Sequence, residues 1–164
     1  ASESKLKALS SEGILDDYDI GHIACHGYFD DMISEMSSVV LSEASGITGP
    51  GVEDGYLTVS ELALLDLDAA MVNLSACETG LSRVRRGDGM VGLTRSLLVA
   101  GADNVGVSLW SVDDSATEAF MTSLYSKVRS GMEYPEAYAA VKREFRNDGR
   151  WSHPCYWAAF TLYE

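Results

Sequence analysis

Cysteine is scarce in this chain: 3 residues among 164, at positions 25, 77 and 155. That spacing makes no disulfide framework and suits a reducing compartment. Positive charge is also scarce, with 12 Lys and Arg against 25 Asp and Glu, for a formal net charge of -13. The balance favours solubility and argues against a phosphate-backbone partner, so no direct nucleic-acid contact is expected. No apolar run reaches the roughly 18 residues of a membrane span, and no signal-peptide pattern opens the chain. A cytoplasmic location without a membrane partner is therefore the expectation. There is no initiating methionine either: Ala1 runs directly into SESKLKALSSEG, which reads as a start inside a larger polypeptide.

What the chain does contain is apolar material, 46% of it, in a length that suits one domain over residues 1–164. Ser2 or Ser4 can cap a short first helix with Leu6 and Leu9 on its buried side, closed near Gly13. Residues 19–25 form the first strand, and residues 38–41 a shorter one at an edge or in a hairpin. Between them, DDMISEM reads as a loop. The glycine-rich stretch 43–56 cannot form a packed element and reads as a surface loop, either a rim of a site or a plain connection. Thr58 and Glu61 make a capping box, which starts a helix over residues 59–65.

Residues 70–74 form the next strand, and the charged loop after it carries Arg83, Arg85 and Arg86. A solvated surface is the first reading of those arginines, and a processing site or a competitor for an acidic pocket the sharper one. Apolar residues at helical spacing over 89–100 give a helix closed by Gly101. Residues 104–110 form a strand, and 111–114 a turn. An amphipathic helix over 115–129 follows, with Asp113 or Asp114 as its cap. Pro135 opens a helix to about Phe145, and residues 155–163 make the last strand. This alternation of strands and helices implies an α/β fold with a largely parallel sheet covered on both faces.

The chemistry concentrates at two strand ends. One apolar run ends at His26 and Gly27, and another at Cys77 in MVNLSACETG. Neighbouring parallel strands would bring both to the carboxyl edge of the sheet, where open α/β sheets bind ligands. A thiolate is the nucleophile of cysteine catalysis, and a nearby imidazole lowers its pKa and later protonates the leaving amine. Backbone amides then stabilise the oxyanion, with Gly27 and Cys77 as the candidates. The competing reading makes Cys77 a small buried hydrophobe and His26 a satisfied polar residue. A Cys25, His26, Cys77 metal site is a third reading, but it lacks the paired spacing of zinc motifs, so no metal and no cofactor are expected.

The segments ACHG, LSACETG, GMVGLTRSLLVAGADNVGVSLWSVDDSAT and HPCYWAAFTLY resemble the CHAT family, caspase-like domains in the clan of caspases and separase. The separation of Cys77 from His26, 77 minus 26 or 51 residues, is also close to the spacing of about 50 in caspases. The resemblance implies a three-layer caspase-like sandwich, a cysteine endopeptidase acting on a protein substrate, Cys77 as nucleophile, His26 as general acid/base and Gly27 as an oxyanion donor. It further implies that the turn made by Trp110, Ser111, Val112, Asp113 and Asp114 lines the substrate cleft. By likeness to separase, Asp113 or Asp114 would recognise a basic residue before the scissile bond.

This sequence departs from the pattern in three places. The caspase pentapeptide is replaced by SACETG, so aspartate specificity does not carry over. Cys155 stands where an aromatic residue is common and is read as core. The family's first strand, which precedes the SESKLKAL helix, is absent; an upstream segment or another chain is expected to supply it beside the cysteine strand and to regulate activity. A catalytically silent binding scaffold is the alternative function.

Overall fold

The computed structural model describes residues 1–30, 33–42, 54–78 and 86–164, with 76–78 and 86–89 described by their backbone alone. In chain order the elements are α1 (Glu3–Ser11), β1 (Ile20–Tyr28), β2 (Ser38–Val40), β3 (Tyr56–Thr58), α2 (Val59–Leu62), β4 (Met71–Glu78), α3 (Arg86–Val99), β5 (Val105–Ser108), α4 (Asp114–Arg129), α5 (Tyr134–Asn147) and β6 (Phe160–Tyr163).

Capping chemistry sets several of the helix starts. The Ser2 hydroxyl accepts the Lys5 amide at 3.4 Å, and the Asp113 carboxylate accepts the Ala116 amide at 3.1 Å. At α2 both halves of the capping box form: the Glu61 amide donates to Thr58, and the Thr58 amide donates back to Glu61. α3 closes at Gly101, whose φ of +105° is a conformation that disfavours any side chain.

The six strands form one sheet in the order β3-β2-β1-β4-β5-β6. β1, β4 and β5 are parallel neighbours, while β2 and β6 run against theirs, so β1, β3, β4 and β5 share one direction. The fold is thus α/β with a mostly parallel sheet. Side chains alternate between the faces along each strand, and the two faces feed two cores. On one face Val72, Leu74, Val105 and Val107 meet Leu62 of α2 and Leu93 and Leu97 of α3. On the other, Met71 and Phe160 meet Phe120 and Leu124 of α4 and Tyr138 and Val141 of α5.

Several boundaries differ from those read in the sequence. Both central strands continue past the positions where their apolar character ends, because each is paired there: β1 runs on to Tyr28 and β4 to Glu78. The last strand is shorter than expected. His153 accepts the Cys155 amide at 3.3 Å and Pro154 begins a 3-10 turn, so only Phe160–Tyr163 pair with β5. Cys155 is exposed rather than core. α3 starts at Arg86, before the expected position, and Pro135 occupies the second position of α5. In α1 the buried residues are Glu3 and Ser10, with Leu6 and Leu9 half-buried. The predicted loop stretch 43–53, Asp31, Met32, Arg83 and Arg85 lie outside the described residues.

The cysteine strand is paired on both sides over residues 72–74 and on the β1 side over residues 75–78. β4 is in register with β1 from Ile20↔Met71 to Gly27↔Glu78, and with β5 from Val72↔Val105 to Leu74↔Val107. Along β1 as well, one flank is paired only in part. β2 pairs only with His26, Gly27 and Tyr28, which leaves residues 20–25 with a strand partner on the β4 side alone.

Candidate active site

The β1–β4 register places His26 opposite Cys77. Adjacent strands lie about 4.8 Å apart, so the two backbone positions are immediate neighbours at one level of the sheet. His26 is exposed, while Gly27, in register with Val39 on β2 and Glu78 on β4, is buried. Cys25 projects to the opposite face from His26 and packs against the first core. Burial pushes its thiol above the ordinary value, against a smaller opposing effect of a backbone hydrogen bond at Val40. Alternation thus separates the neighbours Cys25 and His26, which removes the geometric basis for a metal site shared between them.

The turn after β5 leaves the sheet at the same, carboxyl end as Cys77. Leu74 and Val107 are in register, and Trp110 follows Val107 by the same three residues (110 minus 107) that separate Cys77 from Leu74 (77 minus 74). Trp110 is 39% exposed and its indole donates to the Cys155 carbonyl at 3.2 Å. Val112 is buried in the second core and anchors the turn. Ser111, Asp113 and Asp114 are exposed; Asp113 caps α4, and Asp114 occupies its first turn. The strand order therefore collects at one sheet edge the positions His26 and Cys77 and the turn 110–114.

Below that level runs a polar chain that the sequence reading missed. His22, Asn73 and Gly106 are in register across β1, β4 and β5. The Tyr138 hydroxyl donates to Asn73 Oδ1 at 2.5 Å, Asn73 Nδ2 donates to the Tyr125 oxygen at 2.8 Å, and the Tyr125 oxygen lies 2.5 Å from His22 Nδ1. The Tyr125 oxygen, which accepts from Asn73, shares its other hydrogen bond with His22 Nδ1, in a direction set by the imidazole tautomer. Burial lowers the His22 pKa and raises that of Tyr138, in keeping with neutral groups throughout. Gly106 makes the chain possible: a Cβ there would stand 1.9 Å from the Tyr138 oxygen and 2.2 Å from Asn73 Oδ1. The available signals were an asparagine inside the apolar run MVNLS, which must find partners when buried, and a glycine inside the strand NVGVS.

Over 113 residues, 69% of its length, the chain is 34% identical to "Tetratricopeptide repeat protein 28" of Mus musculus and 33% identical to the protein of the same name in Homo sapiens. It spans only 5% and 4% of those relatives. The family model described as "CHAT domain" matches residues 1–164. With that match running from end to end over an α/β sheet whose strand order brings the histidine and cysteine positions together, the chain belongs to the caspase-like CHAT domain family.

Proposed function

We propose that this domain is a cysteine endopeptidase working through His26 and Cys77. The observation that carries the reading is their register on adjacent parallel strands. In the proposed reaction the Cys77 thiolate adds to the scissile carbonyl of a protein substrate, and the Gly27 and Cys77 amides receive the oxyanion. His26 protonates the departing amine to leave a thioester, then takes a proton from the water that hydrolyses it. No cofactor enters this scheme.

The acidic balance of the chain and the exposed carboxylates of Asp113 and Asp114 favour a basic residue before the scissile bond. Trp110, Ser111 and the backbone around Val112 would flank it. We assign the regulatory partner to an N-terminal segment that adds a strand along residues 20–25. A cavity of about 500 Å³ supports this placement; it opens between β1 and the end of β2 and is lined by Ala1, Leu6, Ile23, Cys25, Val39 and Leu41. The vertebrate relatives are named for tetratricopeptide repeats, helical pairs that stack into solenoids suited to a sensing module. The proposed setting is cytoplasmic, with no nucleic acid and no membrane contacted; among the described residues no helix is long and apolar enough to cross a membrane.

A silent binding scaffold is favoured by one observation, that those relatives' names refer to repeats and not to chemistry. Cleavage of a peptide library by the intact protein, with Cys77→Ala and His26→Ala as comparisons, separates the two. The peptidase reading expects cleavage biased to basic residues, its loss in both variants without unfolding, and alkylation of Cys77 at neutral pH. Cleavage that survives either substitution sinks the dyad; a parent that neither cleaves nor alkylates is a scaffold.

A further inference from the structure

The three N-terminal residues and α1 hold the ribbon formed by β2 and β3 at three separate points. The Ala1 carbonyl accepts from the Ser42 amide at 3.1 Å and from the Ser42 hydroxyl at 2.7 Å, just past the end of β2. Glu3, only 2% exposed, accepts the Gly55 amide at 2.9 Å, just before β3 begins, and the Gly55 carbonyl accepts from Leu41 at 2.7 Å. The other Glu3 oxygen accepts from Lys7 at 2.7 Å; Lys7 reaches on to Glu61 at 2.8 Å, and Glu61 accepts the amide and hydroxyl of Thr58 at 2.9 and 2.7 Å, at the end of β3. Charge-assisted bonds thus join the N-terminal helix to both ends of β3, and neutral bonds at Ser42 and Leu41 carry the tie to the end of β2.

The ribbon in turn touches the histidine. β2 is three residues long, and its register with β1 is His26↔Val40, Gly27↔Val39 and Tyr28↔Ser38. Val39 and Leu57 anchor its interior in the first core, with no exposed surface. A ribbon this short, with so few ladder pairs, depends on the ties at its outer end to stay seated against β1. The same ribbon backs the His26 and Gly27 backbone from the side opposite β4.

We infer that α1 is a latch: through Glu3 and Lys7 it fixes the β2–β3 ribbon, and through the ribbon it sets the position of His26 and Gly27, so that moving α1 switches the site. This rests on the peptidase reading for the meaning of the switch, although the mechanical link stands on the hydrogen bonds alone. The device gives a regulatory segment entering at Ala1 a direct route to the histidine, without any contact between that segment and the substrate.

Hydrogen exchange on the intact protein tests the latch. Glu3→Gln keeps the shape and removes the charge that holds Lys7 in place. It is expected to speed exchange of the Val39, Val40 and Leu57 amides about tenfold, to leave Val105 and Val107 on β5 unchanged, and to lower kcat/KM for peptide cleavage. If Glu3→Gln does not fold, Lys7→Met, which removes the ammonium shared by Glu3 and Glu61, carries the same readout. Unchanged ribbon rates overturn the latch. Equal acceleration on β5 also overturns it, since Glu3 would then support only global stability. A loosened ribbon with unaltered kcat/KM shows that the link stops short of His26, and overturns the switch. A parent without cleavage removes the peptidase reading instead, and the exchange pattern still decides whether α1 holds the ribbon.

Discussion

The two flanks of β1 are built differently. On the β4 side the ladder is parallel and runs from Ile20 to Gly27, and beyond it β4, β5 and β6 lie between α3 on one face and α4 and α5 on the other. On the β2 side only His26, Gly27 and Tyr28 are paired. One face of β1 remains open there, with His22, Ala24, His26 and Tyr28 all exposed. The cysteine strand is thus embedded in an apolar block, whereas the histidine belongs to the margin of that block and to a small ribbon held by charged groups. Of the two residues in the proposed dyad, this makes His26 the one that a modest free energy can move.

Breaking the apolar block should have the largest effect. Phe120 is fully buried, stacks on Phe160 at a centroid distance of 4.1 Å and meets the edges of Tyr138 and Phe145 at 5.8 and 5.4 Å. Phe120→Ala leaves a cavity ringed by rigid aromatics that cannot collapse into it, and is expected to cost about 3–5 kcal/mol of global stability in denaturant unfolding. On the thin side, Tyr56 is 44% exposed and packs edge-on against Tyr28. Tyr56→Ala should cost about 1 kcal/mol or less. Equal losses from the two substitutions would remove the distinction between the halves.

Next in size is the row that joins the halves. Gly106→Ala places a methyl group on the Tyr138–Asn73 hydrogen bond, and neither side chain can withdraw without leaving a buried polar atom unpaired. The expected cost is about 2 kcal/mol. The His22 imidazole should report it in an NMR titration, because loss of the chain frees Tyr125 and alters the partner of Nδ1. A stability loss without any change at His22 would mean that the polar chain does not extend across the sheet as a unit.

How much of this was legible in the sequence follows from the range of the interactions. The starts of α2 and α4 were readable because Thr58, Glu61 and Asp113 act on amides within three residues of themselves. The parallel strands carrying His26 and Cys77 were readable as apolar runs, but their register was not, since it is fixed by pairing across 51 residues of chain (77 minus 26). Glu3 looked like an ordinary acidic residue in a first turn; its burial depends on Gly55 and, through Lys7, on Glu61, all supplied by tertiary contact. The stretch CYWAAFTLY misled for the opposite reason. Its apolar composition suits a strand, yet Pro154 and the His153 side chain turn its first part into a 3-10 coil, which exposes Cys155. The vacancy expected beside the cysteine strand came from the family pattern alone; β1 pairs that strand along its whole length, and β5 pairs residues 72–74 of it.

The smallest expected effect sharpens the comparison by pH. Burial acts to raise the Glu61 pKa, but hydrogen bonds from Lys7 and from the hydroxyl and amide of Thr58 outweigh it and bring the carboxyl from 4.5 down to about 2. Since the folded value lies below the unfolded one, Glu61 adds stability above about 4.5, and that contribution is lost as the pH falls toward about 2. The group is partly exposed, so the change should be modest and local. In the other half Glu144 is also held below its ordinary value, chiefly by its hydrogen bond from Lys127, but that pair lies outside the aromatic core and does not seat a strand. Acid should therefore release the thin side first. Amide exchange corrected for its intrinsic pH dependence should show Thr58, which donates to Glu61, losing protection between pH 4.5 and 2 while Val105 and Val107 keep theirs. If both sets lose protection together, the ribbon is not a separate unit held by charge, and the histidine is as firmly placed as the cysteine strand.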